Sequence, residues 1–452
     1  MVMDSIFKPI KKISDRQLHA KFRLLRDDPC LEHERRILEQ WVEGLDDRDN
    51  KMIQEFQKTF HASFWEFYLH ACFREAGFAL DQGHNRPDFM LKGPHEINVE
   101  AVVSNIKDHG RPESDRALED LMDMFIPPKN QQDFHQVQQE AVIRQSNAVI
   151  SKIKKYENEY SKCVWVKQDT PFMIAMSSYS QINYGREYIY PMMTLLYGLS
   201  YMPNTDSYIP VTEIKKPGTD CTIPVGLFTS DKYSGISAIL YSCTTTLGKL
   251  TALSKSQGNF SLNEVYNLRR DYEDARIPYK LHKVNNNQPE LLTDGLFLFH
   301  NPYAKNKIDI KCFEGTNITQ FFYKEGELIH TSNTFPIVCR LNISKLLEPG
   351  FLMLITEYVR QYNNFSPMEF YSLDPSKKIT VDFDRNCLIC IWIKMKTDQS
   401  LRNIHYTRPQ SCSDKHLQNE AVRIVKERRE DIEEIMSISI IREQSAFDTL
   451  NQ

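Results

Sequence analysis

No stretch of this chain approaches the ~20 consecutive apolar residues of a membrane-spanning helix, so no membrane partner is expected. Residues 1–12, MVMDSIFKPIKK, lack the apolar core of a secretory signal. The expectation that follows is a cytoplasmic protein whose ten cysteines are reduced thiols. Charge of one sign is also missing. The 56 Lys and Arg nearly balance the 60 Asp and Glu, for a net charge of −4. A global basic signature for nucleic acid is therefore absent, although a local patch suffices for such binding and metal sites need acids. No Gly-rich phosphate loop and no nucleophile elbow are present, and His70, His84, His95 and His300 are scattered. A Ser, His or Cys hydrolase thus has little support. The single CxxC, Cys387 to Cys390, lies in the apolar run CLICIWIK with no second Cys or His pair at zinc spacing; it reads as a buried strand. Internal repeats and low-complexity tracts are lacking too.

What is present is an ordinary globular composition, 41% hydrophobic and 26% charged, in 452 residues. That length has room for two or three domains. Residues 1–58 read as a polar helical arm in which Leu38, Trp41 and Leu45 recur at helical spacing. Lys21, Arg23 and Arg26 could touch phosphates there, although a solvated helix face is the plainer reading. A strongly apolar helix is expected over about 60–76, a long helix over about 134–158, and a buried strand at 171–176. Further apolar runs at 237–242 and 295–300 extend the pattern, and 201–235 reads as an insertion. This order describes an α/β fold: a mixed β-sheet flanked by helices on both faces. Residues 311–397 change to strand-like runs, expected as a β-rich domain within a C-terminal α+β region. Residues 398–452 are expected as a linker and a last helix over about 415–440. That helix could serve dimerisation or a protein partner, or dock on its own chain.

The stretch 64–107, FWEFYLHACFREAGFALDQGHNRPDFMLKGPHEINVEAVVSNIK, carries the chemistry. On the apolar helix, Glu66, His70 and Arg74 form one polar stripe, which either faces water or points Glu66 into a site. Gly77 supplies a left-handed cap. Pro87 fixes the approach of Asp88 to its strand, and Gly93-Pro94 marks a turn. Beyond it, Ile97, Val99, Ala101 and Val103 share one face, and Asn98, Glu100 and Val102 share the other. A lone acid on that second face usually meets solvent on an edge strand. Asp88, eleven intervening residues away across the hairpin, argues for a pair. Neighbouring strands lie ~5 Å apart, so two such carboxylates can reach one hard cation.

Pro87-Asp88 followed by Glu100-Ala101-Val102, after a helix carrying Glu66, resembles the PD-(D/E)XK nuclease superfamily, the restriction-endonuclease-like fold. The run also resembles a group of uncharacterised bacterial proteins thought to share this core. The resemblance covers about 60–180 and extends more weakly to about 310, so a core over 59–310 is expected. It implies a Mg2+ or Mn2+ site with Asp88, Glu100 and the Ala101 carbonyl as ligands, and Glu66 as the first-helix acid. It implies a nuclease acting on nucleic acid, with DNA the expected substrate, as a restriction or antiviral defence effector. One position departs: the lysine of the motif is Val102 here. Lys152 is the expected replacement, with Arg144 second and Lys107 third. If no lysine reaches the acids, the implied alternative is an inactive nuclease-fold module that binds nucleic acid or a protein.

Overall fold

The computed structural model describes residues 6–10, 13–47, 51–107, 110–274, 277–324, 327–363, 369–371, 378–380, 386–396, 401–428 and 432–442. The chain divides into two compact units, Met1–Val359 and Arg360–Gln452.

The first unit starts with α1 (Ala20–Asp27), α2 (Glu32–Val42), α3 (Met52–Lys58) and α4 (His61–Glu75). Phe22, Leu25, Ile37, Leu38, Trp41 and Phe56 bury against Phe64, Phe67 and Tyr68 in one cluster, so the N-terminal arm is part of the core. Two of its three candidate phosphate contacts are engaged within the chain. Lys21 meets Glu113 and Tyr184, and Arg26 meets Asp15 and Asp27. Ten of the fifteen α4 residues are buried, as its all-round apolar sequence requires. Gly77 ends the turn at φ +83°.

There follow β1 (Ala79–Asp81), β2 (Phe89–Lys92), β3 (Ile97–Asn105), α5 (Leu118–Asp123), α6 (Phe134–Asn158), β4 (Phe172–Tyr179) and α7 (Tyr190–Tyr197). The expected insertion folds as two short hairpins, β5 (Leu199–Met202) with β6 (Ser207–Pro210) and β7 (Glu213–Lys215) with β8 (Thr222–Pro224). Then come β9 (Ala238–Ser242), α8 (Leu247–Ser256), β10 (Asn263–Arg270), β11 (Tyr279–Lys283), β12 (Phe297–His300), β13 (Thr319–Lys324), β14 (Glu327–Thr331), β15 (Ile337–Ser344) and α9 (Glu348–Tyr362). Eight strands form one mixed sheet in the order β1-β2-β3-β4-β9-β12-β13-β14. β3, β4 and β9 run parallel, and β1-β2-β3 is an antiparallel meander. Helices flank this sheet in an α/β arrangement.

The expected boundary at 310 falls inside this unit. β13 pairs in parallel with β12, and β15 pairs with β10 in a second sheet. Strand-like composition after 310 signals more strands, and it carries no information about which sheet they join. The second unit holds β16 (Glu369–Tyr371), β17 (Lys378–Thr380), β18 (Asn386–Met395), β19 (Leu401–Pro409), α10 (Asp414–Arg428) and β20 (Ile432–Ile441). Cys387 is buried in β18, as its apolar run requires; the side chain of Cys390 lies outside the described residues. The helix expected over 415–440 ends at Arg428, and β20 pairs antiparallel with β18. The alternation Ile435, Ser437, Ser439 against Met436, Ile438, Ile440 has the two-residue period of a strand.

β3 is an interior strand, and this decides the fate of Glu100. One face of the hairpin, with Phe89, Leu91, Ile97, Val99 and Ala101, joins the cluster that includes α4. The other face lies under α6, whose Tyr156 ring stacks on Phe172 at 3.8 Å and whose Gln145 reaches Tyr241. Glu100, on that second face, is 1% exposed, where an edge strand would have left it in water.

Candidate functional site

The register of the β2–β3 pair sets the geometry. Phe89 pairs with Val99, so the next step outward brings Asp88 opposite Glu100 on the same face. Asp88 lies just before β2, and its Oδ2 accepts the Ala101 N–H at 2.7 Å. The turn leading to it is tied down from outside. Trp165 donates its indole N–H to the Arg86 carbonyl at 2.9 Å and stacks on His84 at 4.4 Å.

Glu100 is held by α6 and the segment after it. Lys152 Nζ lies 2.6 Å from Glu100 Oε1, and the Tyr160 hydroxyl donates to the same oxygen at 3.0 Å. Lys155 Nζ stands 3.8 Å away. The other oxygen, Glu100 Oε2, is buried with no hydrogen-bond partner. An unsatisfied carboxylate oxygen in the interior costs free energy unless something of positive charge fills the place. Lys152 is the residue expected to stand in for the lysine missing at Val102, and the structure brings it onto Glu100. Lys107 is engaged elsewhere, with Glu140 at 2.9 Å. Arg144 makes no ion pair with the three acids.

Glu66 remains from the polar stripe of α4 after its neighbours are spoken for. His70 is buried, with Nδ1 2.6 Å from the Trp41 carbonyl, and Arg74 donates to the Glu43 carbonyl at 2.6 Å. Desolvation first, then the Asp88 charge, and further Glu55 and Glu100, push the Glu66 carboxyl up to about 8, against the pull of Lys152. Asp88 is pushed up to about 6 by burial and by Glu100, with Lys152 and the Ala101 N–H opposing. Three acids, from α4, from the lead into β2 and from β3, thus feel one another's charge, with Lys152 opposing. Their oxygens are not drawn together as tightly as an occupied metal shell. Among the described residues, the His, Cys, Asp or Glu group whose ligand atoms all lie within 4.8 Å of one another is His19, His61 and Glu113.

Two groups here have no signal in the motif. Tyr160 follows α6 and reaches Glu100 only because that helix lies across β3. The His19, His61 and Glu113 group draws on three separate segments. No helix among the described residues is long and apolar enough to cross a membrane. Compared with protein-family models, with curated proteins and with solved structures, the chain matches none.

Proposed function

We propose that the first unit is a PD-(D/E)XK-type nuclease that hydrolyses phosphodiester bonds with Mg2+ or Mn2+, acting on DNA in the cytoplasm as a restriction or antiviral defence effector. The observation that carries this reading is Asp88 opposite Glu100 on one face of the β2–β3 hairpin, with Lys152 on Glu100. The donor set suits a hard cation: carboxylates from Asp88 and Glu100, and the Ala101 carbonyl beside them. The unpartnered Glu100 Oε2 supports this, since it is the oxygen left for a ligand while Oε1 keeps Lys152 and Tyr160. Bound there, the ion supplies an activated water and offsets charge on the phosphoryl oxygens.

The remaining steps belong to side chains of the chain itself. Lys152, 21% exposed, can offer its ammonium to a phosphoryl oxygen or orient the attacking water. Glu66, pushed up to about 8, can hold and release a proton near neutral pH. The second unit would supply target recognition, homo-oligomer contacts or the surface for a partner protein.

Plasmid degradation with Mg2+ or Mn2+ tests this. Asp88→Ala and Glu100→Ala are each expected to lower cleavage by about 100-fold or more, the worth of at least about 2.7 kcal/mol at the transition state. Cleavage that survives both substitutions overturns the assignment.

One observation favours a second reading. Lys152 and Tyr160 already satisfy Glu100 Oε1 from within the fold, as a structural ion pair would. On that reading the unit binds nucleic acid or a protein without cutting. Single-turnover cleavage of any nucleic acid above background, lost in Glu100→Ala, eliminates it.

A further inference from the structure

We infer that His19, His61 and Glu113 form a second metal site, selective for a nitrogen-preferring ion such as Zn2+ or Co2+, that clamps the N-terminal helices onto the sheet unit. The three residues come from three places. His19 caps the start of α1, His61 is the first residue of α4, and Glu113 lies in the connection between β3 and α5. Their ligand atoms lie within 4.8 Å of one another. Two imidazoles and one carboxylate are a donor set of catalytic and transport zinc sites, in which Zn–N and Zn–O bonds are ~2.0–2.2 Å. Closing on an ion therefore asks for small side-chain movements and no change of fold.

Two details support a ligand here. His61 Nε2 and Glu113 Oε2 are 2.9 Å apart, the contact that a metal replaces when it takes the place of the shared proton. Lys21 already holds a positive charge against Glu113, with its Nζ on the other carboxylate oxygen and 3.1 Å from the Tyr184 hydroxyl. Glu113 thus already draws one cation from within the chain. Lys21 also competes with the ion for Glu113, so its removal strengthens metal binding.

Binding has one structural consequence. His19 Nδ1 accepts the Lys21 N–H at 3.2 Å and caps α1. A metal on Nδ1 displaces that contact directly. A metal on Nε2 displaces it as well, because Nδ1 then carries the ring proton. Coordination exchanges a helix cap for a bond that ties α1 to α4. The site is chemically distinct from the oxygen-donor pair at Asp88 and Glu100, so the two are expected to discriminate between metals.

The experiment is titration of the full chain with Co2+ and Zn2+, in an Asp88→Asn background that removes the other site's ligand. Expected are visible Co2+ d–d bands of low-coordinate geometry at one equivalent, displaced by Zn2+, and a thermal midpoint that rises with Zn2+. His19→Ala should abolish the bands and the Zn2+-dependent rise; it also removes the α1 cap and lowers the metal-free midpoint, so the readout is the shift that Zn2+ produces within each variant. Glu113→Gln should weaken binding at least tenfold. Lys21→Met should strengthen it. Bands that persist in His19→Ala, or no metal retained by the parent at micromolar concentration, overturn the inference.

Discussion

Lys152→Met probes the architecture of the acid site without reference to activity. The change leaves Glu100, 1% exposed, without its nearest cation. Removing one partner of a buried ion pair costs ~3–5 kcal/mol, because the charge left behind is neither hydrated nor paired. Here the cost is smaller. Lys152 keeps 21% of its side-chain surface in contact with water, the Tyr160 hydroxyl still donates at 3.0 Å, and Lys155 stands at 3.8 Å. A loss of about 2 kcal/mol is expected. The converse change is milder. Glu100→Gln keeps the Tyr160 contact and frees Lys152 to swing into water, for about 1 kcal/mol or less. The double variant removes both charges and should return to within about 1 kcal/mol of wild type, a coupling that a double-mutant cycle reads directly. Urea denaturation in EDTA at pH 7, followed by the fluorescence of Trp41, Trp65 and Trp165, measures it, with Trp392 of the second unit replaced by Phe. Equal costs for the two single changes, or costs that simply add in the double variant, would refute the picture of a buried Glu100 charge held by Lys152.

Other outcomes follow from the same contacts. Glu66 and Asp88 have carboxyls raised to about 8 and about 6, so their contribution to metal-free stability is full below the ordinary carboxylate range. It is lost as pH rises through about 6 and then about 8; a pH series of thermal midpoints in EDTA should fall across this window and flatten in excess Mn2+. Metal binding at pH 6.5 should release protons, seen as a buffer-dependent enthalpy in calorimetry, and Glu66→Gln should reduce the release. Away from the site, Glu290 is fully buried and held down to about 2 by Arg340 and Lys249, with Lys249 Nζ at 2.8 Å. Glu290→Gln is expected to cost at least about 3 kcal/mol at pH 7, since it strands two buried cations. That contribution is present above pH 4.5 in the parent and disappears as pH falls through about 2, so the urea-derived difference should be constant from pH 5 to 8.

How much of this was legible in the sequence depended on the range of the interactions. The α4 and α6 helices and the β2–β3 hairpin were readable because each is fixed by a local period and local turn residues, Gly77 and Gly93-Pro94 among them. The side of the sheet on which Glu100 sits was readable from alternation alone. Its burial was not, because that depends on β4 pairing with β3 from sixty-seven residues past the strand's end at Asn105. The boundary expected at 310 fails for the same reason: β13 and β15 look alike in composition, join different sheets, and both belong to the first unit. β20 was misread because Ile432, Ile435 and Met436 fit a helix face as readily as a strand when taken without the serines between the isoleucines that follow. Lys152 was within reach as a candidate since helical spacing on α6 limits which lysines face the sheet. Tyr160 and the His19, His61 and Glu113 group were not, since no spacing rule links segments that meet only in the folded chain.

The most direct measurement is an anomalous-difference map from a crystal of the full chain soaked in Mn2+. The expected result is a peak within ~2.0–2.2 Å of a carboxylate oxygen of both Asp88 and Glu100, with Oε2 of Glu100 taken up by the ion. Manganese that leaves this pair empty, with Lys152 still in contact with Glu100, would contradict a metal-dependent nuclease centred on these acids.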